Sequence, residues 1–178
     1  MEMEEKKIDG IDIYNGKVIH VVKDNVLCPN GNISIREIVK HNGGAAILCL
    51  NDKEEVLLEK QYRYAYNEII YEIPAGKLEL NENPYDAALR ELEEETGNKA
   101  ESLKKLGEIY PTCGYSSEVI HIFLALNTKK TNTKFDDDEV IVSKYIPLKE
   151  VKDMIKKGII KDAKTIAAIY YYELLKEN

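Results

Sequence analysis

The stretch Gly76-Lys-Leu-Glu-Leu-Asn-Glu-Asn-Pro-Tyr-Asp-Ala-Ala-Leu-Arg-Glu-Leu-Glu-Glu-Glu-Thr-Gly97 decides how this chain of 178 residues is read. Asn83 is a suitable helix N-cap, Pro84 suits the first helical position and Gly97 suits the end, so the spacing predicts a helix over Pro84–Thr96. At about 100° per residue, Tyr85, Ala88, Leu89, Leu92 and Thr96 form one apolar stripe that must face a core. Glu91 and Glu95 are i,i+4 neighbours beside that stripe, and Glu94 adjoins both, whereas Glu93 points away. Like charges so spaced cost a few tenths of a kcal/mol per pair. They also crowd the helix C-terminus, where the macrodipole favours cations. Arg90 can pair with Glu94 but cannot neutralise the set. Two readings follow: a solvated acidic face, or a site where hard carboxylate oxygens hold Mg²⁺ or Mn²⁺.

Outward from this helix, strand-like runs precede it at Lys17–Lys23, Ile33–Lys40, Ala45–Leu50, Glu55–Tyr62 and Ile69–Ile73. Asn30-Gly31, Asn42-Gly43-Gly44 and Asn51-Asp52 supply turns between them. Val119–Leu126 and Val140–Ile146 are further strands. Val151–Lys157 and Ala163–Lys176 close the chain as helices, the second capped by Asp162. Strands, helix, strands, helices without regular βαβ alternation predict an α+β fold, an α/β/α sandwich around a mixed sheet. Residues 1–42 form a β-rich region with too few apolar residues for a core of its own, and 43–178 form the main domain.

The formal net charge of −7, with no basic cluster, excludes a broad electrostatic grip on nucleic acid. No apolar run approaches the ~20 residues of a membrane helix, and the opening Met-Glu-Met-Glu-Glu-Lys-Lys has no leader-like apolar core, so a cytoplasmic location is expected. Three widely separated cysteines, Cys28, Cys49 and Cys113, suit neither a disulfide framework nor a zinc ribbon. Nor do His20, His41 and His121 have ligand spacing.

The segment from Gly76 resembles the Nudix box, Gly-x5-Glu-x7-Arg-Glu-U-x-Glu-Glu-x-Gly-U with U aliphatic. All seven fixed residues match over 23 positions, and the departure is Asn98 in the last aliphatic slot, which should affect packing rather than chemistry. The resemblance implies the Nudix-type sandwich and metal-assisted hydrolysis of a diphosphate. It makes Glu91, Glu94 and Glu95 the ligands of Mg²⁺ (or Mn²⁺), with the backbone carbonyl of Ala75. Glu94 also counts as catalytic, Arg90 orients the glutamates and Glu82 braces the loop that starts at Gly76. Asn81, where the family often has Gly, is a residue that tolerates left-handed backbone.

The flanks, Glu59-Lys60-Gln61-Tyr62-Arg63 and Tyr71-Glu72-Ile73-Pro74-Ala75 before the box and Tyr110–Glu118 after it, are similar to the ADP-ribose pyrophosphatase branch of that superfamily. This implies cleavage of ADP-ribose to AMP and ribose 5-phosphate. It places Arg36, Arg63, Glu72, Gly114 and Glu118 on the substrate and Glu139 as the base, or as the residue that positions the water. A homodimer built through the N-terminal region is implied as well. One departure bears on specificity: Cys113 stands where the branch has Pro. Rival readings are hydrolysis of another nucleoside diphosphate derivative, such as a nucleotide sugar or dinucleotide, and a Nudix-like module that binds ADP-ribose without cleaving it.

Overall fold

The computed structural model describes residues 3–134 and 140–177, which form two compact units. The first comprises residues 3–43 with 110–119. Its core is an antiparallel sheet in the order β1 (Lys6–Asn15), β2 (His20–Leu27), β3 (Ile33–Lys40). The tight turn at Asn30-Gly31 forms as expected, with Gly31 at φ 83°. β1 was not expected, because Asp9, Gly10, Asp12 and Asn15 interrupt its apolar positions. Every residue of β1 is exposed, and the burial in this sheet falls on Val22, Asp24 and Val26 of β2. The segment 110–119 docks on β3: Val39 N donates to Tyr115 O at 2.8 Å and Ser117 N to Val39 O at 2.9 Å.

The second unit holds the helices and a seven-stranded mixed sheet. Its elements are β4 (Gly44–Leu50), β5 (Glu55–Arg63), β6 (Glu68–Glu72), β7 (Ala75–Lys77), α1 (Pro84–Thr96), β8 (Asn98–Lys99), β9 (Lys104–Ile109), β10 (Ile120–Leu126), β11 (Lys129–Lys130), β12 (Ile141–Pro147), α2 (Leu148–Lys156) and α3 (Ala163–Lys176). The sheet order is β12-β5-β4-β10-β9, and only β4 and β10 run parallel among the paired strands. β4 gives one edge to β10 along its full length and divides the other: β7 pairs at Gly44–Ala46, β5 at Leu50.

Alternation along β4 explains the layers. Ala45, Ile47 and Cys49 pack with Ala87, Ala88 and Leu92 of α1, while Ala46, Leu48 and Leu50 pack with residues of α2 and α3 on the opposite face. A strand covered on both sides reads as an unbroken apolar run, which is why this segment carries no polar residue. The α+β sandwich inferred from element order is therefore present.

α1 occupies the expected residues, with Asn83 Oδ1 accepting from Tyr85 N at 2.9 Å and Gly97 left-handed at φ 59°. A Cβ on Gly97 would stand 2.8 Å from the Thr131 carbonyl oxygen, so close packing also requires glycine here. α3 is capped by Asp162, whose side chain accepts from Thr165 N at 2.9 Å. α2 starts three residues earlier than expected, at Leu148, because Pro147 ends β12 and Leu148, Val151 and Met154 are all buried. β9 escaped the sequence reading because Lys104, Lys105, Gly107 and Glu108 break its apolar pattern at the sheet edge. Among the described residues no helix is long and apolar enough to cross a membrane.

Candidate active site

The box loop and α1 meet at a cavity of about 510 Å³ in the second unit. Arg63 from the end of β5, Ala75 and Gly76 from β7, and Arg90, Glu91, Glu94 and Glu95 from α1 all line it. Local folding explains each placement. β7 pairs with the start of β4, which carries the Ala75–Lys77 backbone alongside the helix. Asn81, at φ 65°, turns the loop back toward α1 in the left-handed conformation that the sequence suggested it could adopt.

Arg90 organises the acids. Its Nε and Nη2 each donate at 3.0 Å to Glu82, and Nη1 donates to Glu91 Oε1 at 2.7 Å and to Glu94 Oε2 at 3.1 Å. The Glu82 carboxylate, ahead of Glu91 and Glu94, holds this guanidinium more firmly protonated than usual. Glu82 also accepts from Glu79 N at 2.9 Å, tying the loop to itself, and Arg90 pulls its carboxyl below the ordinary range. Glu95 is buried and accepts from Ala75 N at 3.0 Å. Glu93 lies off this group and pairs with Lys99 at 3.2 Å.

These residues fit a divalent cation. One guanidinium stands against Glu82, Glu91 and Glu94, and the donors are hard oxygens. A Cβ on Gly76 would fall 1.8 Å from Glu91 Cδ, so the loop leaves its side-chain space to that carboxylate. Among the described residues no three acidic groups already converge on one point. Glu91 and Glu94 instead rest on Arg90, contacts that an ion would compete for.

Arg63, at the end of β5, pairs with Glu72, at the end of β6. Arg63 Nε donates to Glu72 Oε1 at 2.7 Å and Nη2 to Oε2 at 2.8 Å, which leaves Nη1 without a hydrogen bond among the described residues. Glu72 is 3% exposed and does not line the cavity. Burial pushes its carboxyl up, but the Arg63 hydrogen bonds and Lys164 outweigh this and hold it below the usual range. Glu72 thus acts on Arg63 rather than presenting itself to the cavity.

Arg36, Gly114 and Glu118 belong to the first unit. Arg36 bonds Glu5 and, at 2.9 Å, Ser34 Oγ. Gly114 lies in the turn 111–115, and Glu118 approaches His41 Nδ1 at 3.6 Å. Glu139 lies outside the described residues. Sequence reasoning overlooked Lys77, Glu79 and Lys134, which also line the cavity, and Lys164, which reaches Glu72 from α3. Lys77 and Glu79 stood in variable positions of the box, and no periodicity or motif marked either Lys134 or Lys164.

The unfilled aliphatic slot has a structural use. Asn98 is 1% exposed; its Nδ2 donates to Thr96 Oγ1 at 2.8 Å, and its Oδ1 accepts from Thr128 Oγ1 and Tyr145 Oη, both at 3.3 Å. Cys49 Sγ lies 3.7 Å from the same Tyr145 hydroxyl. Burial pushes the Tyr145 phenol up to about 12, so it remains a neutral donor.

Comparison with known proteins agrees with this geometry. The family model described as NUDIX domain matches residues 40–169. An ADP-ribose pyrophosphatase of Bacillus subtilis is 41% identical, covering 97% of this chain and 94% of its own length. A methanol dehydrogenase activator of Bacillus methanolicus is 39% identical over 96% of this chain and 94% of its own length. A GDP-mannose pyrophosphatase of Yersinia enterocolitica is 36% identical over 79% of this chain and 78% of its own length. A solved structure described as an ADP compounds hydrolase superposes with a TM-score of 0.85, covering 99% of this chain and 97% of that one, at 19% identity.

Proposed function

Since the chain belongs to the Nudix family and is one of its pyrophosphohydrolases, we propose that it hydrolyses ADP-ribose to AMP and ribose 5-phosphate with Mg²⁺. The observation that carries this reading is the joint lining of one cavity by Glu91, Glu94, Glu95 and Arg63. Acids suited to a cation adjoin an arginine suited to phosphate, in a chain 41% identical to an ADP-ribose pyrophosphatase of Bacillus subtilis.

Glu91, Glu94 and Glu95, with the Ala75 carbonyl, would hold the ion. When bound, it neutralises diphosphate charge and favours attack at phosphorus. Arg63, oriented by Glu72, takes up phosphate oxygens through the guanidinium edge that Glu72 leaves open. Arg90 keeps Glu91 and Glu94 from repelling each other out of the cavity. Glu139 orients the attacking water and accepts its proton, while the P–O–P bridge breaks and its oxygen stays with one phosphate.

The exposed Ile8, Ile11 and Ile13 of β1 support assembly of residues 1–42 into a homodimer, which sedimentation would test. Three free thiols suit a reducing cytoplasm. Product analysis with ADP-ribose and Mg²⁺ tests the activity: AMP should appear stoichiometrically with ribose 5-phosphate. A second reading, hydrolysis of a nucleotide sugar, is favoured by the likeness to the GDP-mannose pyrophosphatase. Preferential turnover of GDP-mannose over ADP-ribose would decide for it.

A further inference from the structure

Behind Arg63 runs a line of alternating charge: Arg63, Glu72, Lys164, Asp162. Lys164 belongs to the first turn of α3, its side chain is only 10% exposed, and it does not line the cavity. Its Nζ bonds Glu72 Oε2 and also meets Asp162 Oδ1 at 3.1 Å. Asp162 in turn accepts from Thr165 N at 2.9 Å and Thr165 Oγ1 at 2.6 Å. Thr165 Oγ1 accepts from Ile73 N at 2.9 Å, which fixes the start of α3 beside Glu72.

We propose that Lys164 is a positioning residue for substrate, acting through Glu72 to keep Arg63 available to the diphosphate. The inference rests on the reading that Arg63 binds phosphate. A buried carboxylate paired with one guanidinium alone would cancel its charge and draw it away from the cavity. Lys164 shares that carboxylate, so Arg63 keeps positive charge to direct at an anion. The negative end of the line, Asp162, sits on the N-terminus of α3, where the helix dipole offsets it. Losing Lys164 therefore tightens Glu72 on Arg63 and lowers the positive charge that Arg63 presents to the cavity. Lys164 thereby couples the C-terminal helix to substrate affinity without touching the substrate.

The test is a cycle of steady-state kinetics on ADP-ribose with Mg²⁺, with thermal midpoints measured alongside. Lys164→Met and Lys164→Gln should each raise KM about tenfold and leave kcat within about twofold, and Lys164→Arg should restore KM. In the Glu72→Gln background the same substitutions should no longer change KM. A merely structural lysine would lower the midpoint and the active fraction, hence kcat, with KM unchanged, and that result overturns the proposal. If Arg63→Ala raises KM but the Lys164 variants do not, this inference falls while the Arg63 reading stands. If Arg63→Ala leaves KM unchanged, both fall. Should the wild type not turn over ADP-ribose, the substrate assignment alone fails and the cycle is read on GDP-mannose.

Discussion

Arg63 and Glu72 meet fork to fork, Nε on Oε1 at 2.7 Å and Nη2 on Oε2 at 2.8 Å, with the Glu72 side chain buried and the Arg63 side chain 42% exposed. The pair divides labour: one side chain is hidden to aim the other. Arg63→Ala should raise KM for ADP-ribose about ten- to hundredfold with a smaller loss in kcat. Arg63→Lys should recover only part of it, since an ammonium cannot span both carboxylate oxygens. Initial-rate kinetics check both.

The same pair sets a pH dependence. Glu72 is held below its usual value of 4.5, so the unfolded chain takes up its proton before the folded one does. Its contribution is complete above the unfolded value and is lost as pH falls through the folded one. Thermal melts from about pH 7 to about pH 3 should therefore show a falling midpoint at the acid end. Glu72→Gln should start lower at neutral pH and fall less steeply.

Gly76 yields its side-chain space to Glu91, whose Cδ would lie 1.8 Å from an added Cβ. Glu91 is tied to Arg90, so it cannot swing aside without giving up that bond. Gly76→Ala should weaken activation by Mg²⁺ about ten- to hundredfold, read from the metal dependence of the rate, with little change in thermal midpoint.

Asn98 is a buried hub. Asn98→Val restores the aliphatic residue of the box pattern but removes the acceptor for Thr128 and Tyr145. Denaturant unfolding should show a loss of about 1–3 kcal/mol, with kcat unchanged where the protein is folded.

Glu139→Gln should lower kcat about a hundredfold and leave KM nearly unchanged, since the residue is assigned to the water and its proton. A change confined to KM would make Glu139 a substrate contact instead.

What was legible in the sequence depended on whether a residue's role was local. α1 could be read to its ends because Asn83, Pro84 and Gly97 act within one turn of themselves. The acidic side of the helix was equally legible, since i,i+3 and i,i+4 neighbours are settled by helix geometry alone. β1 and β9 could not be seen: both lie at sheet edges, where pairing needs no apolar alternation. Glu72 was assigned to substrate from its place before the box, but burial turns it toward Arg63. That burial depends on α3, some 90 positions away: Lys164 reaches Glu72 across 92 residues of chain. Asn98 looks like a flaw in a pattern because its partners, Thr128 and Tyr145, lie 30 and 47 residues further along the chain.

The parallel pairing of β4 with β10 has a consequence for how the molecule comes to exist. Gly44 lies opposite Ile120, and Leu50 opposite Leu126, so the centre of the sheet joins segments separated by the whole box and its helix. Such closure carries a large loop entropy and is slow. During synthesis α1 emerges before β10, when β4 still shows an open edge and Phe123 has yet to reach the cluster that seats Leu92. Nascent chains halted short of Leu126 should thus bear the acidic helix on an unfinished sheet, a species with an adhesive edge that chaperones would hold.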